Sequence, residues 1–232
     1  AITAQRKKNN ELIVAIGSEP EAGFDATTGG HGSITRVFFS TLFASVLGFI
    51  LGIIVTVTSP TGLRPNIFIY KSLDVIINVL RSFPFIILIV FIIPLTRAIV
   101  GTPIGETAAI VPLTIAAAPF VARIIESALK EVDPGVIEAA KSFGASNLQI
   151  IFKVMLKEAV PAIISGLTLT IINIIGYSAM AGSVGAGGLG KVAISYGYQR
   201  YQTDVMIVTV IILIIMVQGL QSLGNYLYKK LS

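Results

Sequence analysis

Two short stretches carry residue types at spacings that chemistry could use. The first is Gly185-Ala186-Gly187-Gly188-Leu189-Gly190-Lys191. It fits G-x-G-x-x-G, the dinucleotide-binding turn, and also the first seven positions of a phosphate loop, G-x-x-x-x-G-K. In both, glycines let backbone N–H groups close on a phosphate. The chemistry fails at the next residue. A phosphate loop needs Ser or Thr after the lysine to hold magnesium, and here Val192 follows. Both motifs also require a strand before and a helix after, whereas a long apolar segment precedes this one. The stretch is therefore no nucleotide site. What it keeps is a run of small residues from Gly176 to Gly190. Small residues permit close helix packing, or an irregular backbone lining a cavity, as a gate or permeation path would use; the plainer alternative is a flexible loop between two helices. The second stretch is Glu138-Ala139-Ala140-Lys141-Ser142-Phe143-Gly144, a polar island suited to docking rather than to bond chemistry. There is no cysteine and a single histidine, His31, so disulfides, thiolate sites and histidine metal clusters are not available.

The elements that position these stretches are apolar. Of 232 residues, 54% are hydrophobic and only 12% charged, half the charge of an average soluble domain, about 25%. The apolar runs far exceed the roughly 4–8 residues of a buried strand, so the chain reads as an all-α integral membrane protein. Five spans are expected, at about 35–58, 72–96, 104–127, 160–178 and 203–227, each near the ~20 residues that cross the hydrocarbon core. The first contains Gly48-Phe49-Ile50-Leu51-Gly52, a G-x-x-x-G that admits a neighbouring helix. Ser59 to Pro65 is a break, and Pro84 and Pro94 predict a kink or late start in the second span. The excess of basic residues fits membrane orientation, not nucleic acid. Nine Lys and Arg fall in segments 59–71, 123–160 and 228–232, against Arg97, Lys191 and Arg200 on the other side. That places the polar island and the C-terminus in the cytoplasm and the N-terminus outside, although Arg6, Lys7, Lys8 and Arg36 run against the assignment. Arg81 and Arg123 read as boundary anchors. Asp74 and Glu126 read as cytoplasmic-end caps, and Glu106 as an outer one.

The loop between spans three and four, about 128–159, has its own grammar. Asp133 is a helix N-cap with Pro134 at the first helical position. Val136, Ile137, Ala140, Phe143 and Gly144 recur at helical spacing, and Gly144 is a natural C-cap. A second helix follows, with Leu148, Ile151, Phe152, Met155 and Leu156 on one side and Gln149, Lys153 and Lys157 on the other. A surface helix with apolar residues and no globular domain around it reads as a docking peg for a partner.

Glu138-Ala139-Ala140, three residues, then Gly144 resembles the EAA motif of importer permeases of the ATP-binding-cassette class. Val154 fits the apolar position ten residues after the glycine, while Lys157 stands where the family has proline and Pro161 comes four residues later. From about Phe38 to Ser232 the chain is similar to the permeases of methionine importers. The stretches that carry the likeness are Arg81 to Ile87, Ala108 to Thr114, Ala117 to Arg123, Gly176 to Gly182, Gly185 to Gly190 and Tyr196-Gly197-Tyr198. The resemblance implies five spans per subunit, a homodimer, two ATPase subunits that bind ATP and magnesium, and a lipid-anchored binding protein that delivers the amino acid. It implies no catalytic site and no cofactor in this chain. The coupling positions would be Glu138, Ala139, Ala140 and Gly144. Tyr177, Ser178, Met180 and Gly182 would line the path or gate. An ion-coupled transporter or channel is the alternative. It would need ionisable groups at mid-membrane, and spans one, three, four and five have none near their centres. Residues 1–33 fall outside this pattern: Glu11 to Asp25 resembles the start of a peptide- or nickel-type solute-binding protein. That segment is read as lying outside the fold, by natural fusion or by a join in the gene, and is assigned no function.

Overall fold

The computed structural model describes residues 26–231, with side chains from His31 onward. Glu11 to Asp25, with its solute-binding-protein likeness, lies outside the described residues. In order, the helices are α1 (Ala26–Thr58), α2 (Ile67–Ser82), α3 (Phe85–Phe91), α4 (Ile93–Val100), α5 (Ile110–Lys130), α6 (Pro134–Ser142), α7 (Asn147–Ala186), α8 (Gly188–Lys191) and α9 (Thr203–Leu231). No strand occurs among the described residues. Four helices are long and apolar enough to cross a membrane (α1 from His31, α5, α7 and α9), and α2 with α3 makes a fifth if the bent pair is one span.

Four expectations need correction. Span one does not begin at Thr35. The helix starts at Ala26, and Ser33, assigned to a segment outside the fold, is buried within it. Span two is not one rod over 72–96: α2 and α3 meet at 106°. The cause is local. Phe83, the residue before Pro84, is in extended conformation at φ −77°, ψ 123°, which proline's ring favours by crowding the helical region for its predecessor. Span four does not begin near 160. The helix runs unbroken from Asn147 through Pro161, with a π turn over Ile150–Met155. In a membrane helix neighbours and local π adjustments absorb the bond a proline removes, so Pro161 sits inside a helix rather than at its start. Span three likewise starts at Ile110, after a turn in which Gly105 takes φ 123°.

The described residues divide into two compact units. One holds α1 up to Ser40, residues 84–113 and residues 173–219; the other holds 41–83, 114–172 and 220–231. In the second unit the core is Val121, Ile125, Ala128, Leu129 and Val132 with Ile150, Ile151, Met155 and Ala159. The G-x-x-x-G of α1 packs there against α5. A Cβ on Gly52 would lie 2.6 Å from Ile125 Cβ and 2.8 Å from the Ala122 carbonyl. Overpacking of this kind costs about 1–3 kcal/mol. Gly52→Leu is therefore expected to lower the thermal midpoint of the purified protein clearly, and Gly52→Ala to lower it less.

Candidate functional site: a helical elbow and a broken span

The elbow follows from capping chemistry. Asp133 accepts a hydrogen bond from Gly135 N–H at 2.7 Å, and Pro134 opens α6. At the other end the C-cap is Phe143, not Gly144; Gly144 is the next residue, at φ 80°. Its N–H donates to Lys141 O at 2.9 Å, and Ala145 N–H donates to Ala140 O at 3.1 Å. That pair of bonds, with a left-handed residue after the cap, is a Schellman ending. It explains two of the singled-out residues: Ala140 supplies the accepting carbonyl, and Gly144 the conformation that side chains resist. Ser146 then caps α7 in a capping box. Ser146 N–H donates to Gln149 Oε1 at 2.8 Å, and Gln149 N–H donates to Ser146 Oγ at 3.4 Å. Two helices thus meet at a corner fixed by backbone bonds on one side and by side-chain capping bonds on the other. The Ser-x-x-Gln signal for the second cap is plain in the sequence.

The corner divides the apolar positions of the loop. Ile137, Ala140 and Ala145 pack onto the core cluster that includes Ile150 and Ile151. Val136, Phe143, Leu148 and Phe152 face outward, Phe143 at 91% exposure. Glu138 and Ala139 are exposed on the same helix. Glu138 also borders a cavity of about 270 Å³ lined by Thr56, Ser59, Lys130, Lys141 and Met155. The result is a rigid, solvent-facing ridge with one acid and an unpaired aromatic at its tip.

Beside the core, Arg123, Asp74 and Glu126, read as an anchor and two caps, form one network with Lys130. Arg123 pairs with Asp74, with Asn78 Oδ1 at 2.8 Å and with Glu126 Oε2 at 2.5 Å; Lys130 reaches Glu126 Oε1 at 2.6 Å. The Arg81 guanidinium lies 5.0 Å from the Phe120 ring centre, and Lys130 5.6 Å from that of Tyr70. These contacts fasten α2 to α5. Glu126 is buried, and its pairing with two cations is what lets a carboxylate sit there.

The glycine-rich stretch of the first unit is neither phosphate loop nor plain loop. The helix ends in a π turn, Gly182–Ala186, broken at Val184 (φ −105°, ψ 24°) and Gly185 (φ 98°, ψ 7°). Gly187 turns the chain at φ 76°, ψ −158°, and Gly188 opens α8; a second π turn covers Val192–Tyr198. Gly182 is buried against the returning backbone: a Cβ there would lie 2.5 Å from Lys191 N and 2.8 Å from Gly187 O. The four residues expected to line one path are placed differently. Tyr177 stacks on Phe85, centroids 4.7 Å apart. Ser178 is buried, its hydroxyl without a partner. Met180 is half exposed, and Gly182 is buried backbone. Ser178 shares a small cavity with Ser33, Leu189 and Gly190, and a second cavity of about 80 Å³ beside the break is lined by Thr96, Ile104, Pro112, Val184 and Ala186. These two cavities do not contain Tyr177, Met180 or Gly182.

One residue here escaped the sequence reading. Arg36, taken only as a charge against the orientation, is 1% exposed and binds the break. It donates from Nε to Gly32 O at 3.1 Å, from Nη1 to Ala186 O, and from Nη2 to Gly187 O at 3.4 Å and Ser33 Oγ at 3.3 Å. The available signal was a lone arginine in an apolar helix. Such a residue must find acceptors inside the protein, and a glycine-rich break offers free carbonyls.

The described residues are all helical, with apolar helices long enough to cross a membrane, a capped elbow and a helix broken at glycines, and comparison with known proteins says which class has this fold. Residues 44–232 match the family described as the binding-protein-dependent transport system inner membrane component, and the chain belongs to that family. The probable D-methionine transport system permease protein MetI of Vibrio cholerae is 54% identical over 184 residues, covering 79% of this chain and 82% of that protein. The D-methionine permease MetI of Escherichia coli K12 is 47% identical over 150 residues, 65% of this chain and 69% of that one. Among solved structures, an inward-facing conformation of the MetNI methionine ABC transporter aligns with a TM-score of 0.88 at 43% identity, over 93% of this chain and 100% of that chain. An amino acid ABC transporter solved with histidines shares the fold, with a TM-score of 0.73 at 21% identity.

Proposed function

We propose that this chain is the permease subunit of an ATP-binding-cassette importer that carries methionine, or a closely related amino acid, into the cytoplasm. It works as a homodimer with two ATPase subunits, receives substrate from an extracytoplasmic binding lipoprotein and contributes no catalytic residue. ATP and magnesium are bound by the partner subunit. The observation that supports this best is the elbow: a helix fixed at both ends by capping, presenting Glu138, Ala139 and the bare Phe143 ring to solvent. Such a ridge transmits movement of a partner into α5 and α7 without bending. Glu138, Ala139, Ala140 and Gly144 form this coupling loop, on the cytoplasmic side with the C-terminus, and the N-terminus lies outside. The break after α7 lies toward the outer side. There Tyr177, Ser178, Met180 and Gly182 belong to the gate region, Tyr177 and Gly182 by packing and Met180 by exposure. The transport domain takes in the described helices from α1 onward, Ser33 included. Substrate identity follows the relatives' names.

The test is uptake of radiolabelled methionine in a strain lacking its own permease, supplied with this chain, an ATPase subunit and a binding protein. Saturable uptake that unlabelled methionine competes away is expected. Uptake that survives ATP depletion and collapses with an uncoupler would favour an ion-coupled carrier instead.

A further inference from the structure

Arg36 is the single charged residue between Ala26 and Thr58, and burial obliges its donors to find acceptors. Two of those it finds are the carbonyls of Ala186 and Gly187, where the α7 helix gives out. Carbonyls at a break in a membrane helix have lost their helical partners and must be met by another group. One guanidinium meets both. Ser33, three residues earlier on α1, completes the hold by accepting Leu189 N–H at 3.0 Å. The backbone makes room for this: a Cβ on Gly188 would collide with Arg36 Nη2 and Ser33 Oγ. The Glu106 carboxylate stands close by, 3.6 Å from where a Cβ on Gly187 would lie. Positive φ at Gly185, Gly187 and Gly188 gives the segment more than one accessible backbone shape. π turns lie on both sides of it, and such turns recur at functional sites.

We infer that Arg36 is a positioning residue for transport, holding the Gly185–Gly188 break in one backbone shape so that opening or closing of the path there depends on its bonds to Ala186 and Gly187. The inference rests on the permease reading above but concerns the membrane body, not the docking of the ATPase. Arg36→Met leaves both carbonyls unmet. Arg36→Lys keeps the charge but loses the planar fork of donors, so it should recover only part of the effect.

The test uses the complete transporter, this chain with its ATPase and binding protein, in proteoliposomes. For Arg36→Met, methionine imported per ATP hydrolysed should fall about tenfold, the scale of one lost hydrogen bond to a charged group, with Arg36→Lys in between. A second measurement reads the break itself. The chain has no cysteine, so Ala186→Cys places one buried thiol beside Arg36. A maleimide should label it about tenfold faster when Arg36→Met is added. Ala159→Cys, buried in the other unit, should stay equally slow with and without it. Equal labelling of the Ala186 thiol in both backgrounds overturns the inference. So does faster labelling of both thiols, which would make Arg36 a general support of the fold. A wild-type complex that imports no methionine counts against the substrate reading alone, and the labelling comparison still decides Arg36.

Discussion

Glu138→Lys is expected to abolish ATP-driven uptake while leaving the protein folded. Glu138 is exposed, and the hydrogen bond at this residue is a main-chain one, the Ser142 hydroxyl donating to its carbonyl at 3.0 Å. Exposed substitutions away from caps and cores change stability by only about 0.5 kcal/mol. The thermal midpoint should therefore hardly move. Docking is another matter. Glu138 lines the same cavity as Lys130 and Lys141, so the change adds a third cation to that lining. Truncating or reversing one member of a desolvated charge pair at an interface costs about 2–5 kcal/mol, which corresponds to a fall in uptake of more than tenfold. Uptake at wild-type level would remove Glu138 from the coupling assignment. A large drop in thermal midpoint would instead assign it to folding.

Gly182→Ala is expected to be nearly as severe, for a different reason. The new Cβ would meet main-chain atoms, Lys191 N at 2.5 Å and Gly187 O at 2.8 Å. Neither can swing aside as a side chain would, so the break must open. A cost of about 1–3 kcal/mol falls on the segment proposed as the gate region. Gly176→Ala, one turn and a half earlier, is the control. Nothing lies within 4 Å of a Cβ there, and uptake should persist. If both alanine variants transport equally well, the close approach of the two backbones has no part in transport.

The apolar runs, the capping residues and the motif spacing were open to reading in the chain, because each depends on near neighbours. Asp133 and Pro134 announce α6, and Gly144 announces its end to within one residue. What could not be read locally was the partition of the loop's apolar positions. Ile137 and Phe143 both belong to the apolar set of one short helix, yet one packs on the core cluster while the other projects bare. That outcome depends on how α6 and α7 meet, and the corner is set by the pairing of Ala145 with Ala140. The start of span four, expected near 160, was misplaced for a related reason, since a helix in a membrane protein can carry a proline such as Pro161 inside it. Arg36 and Ser33 lie far from Ala186 and Leu189 in the chain. Nothing local pairs them; only the demand of a buried guanidinium for acceptors points across that distance. The Asp74–Arg123–Glu126–Lys130 network hid in the same way, each member passing individually for a helix-end charge.

The most direct test of ATP-powered import is methionine accumulation in proteoliposomes holding this chain, its ATPase subunit and the binding protein. Substrate-loaded binding protein is added on one side of the membrane and ATP with magnesium on the other. Accumulation should require hydrolysable ATP, persist with a protonophore present and disappear with Glu138→Lys. Accumulation without ATP, or its collapse on adding the protonophore, would contradict it.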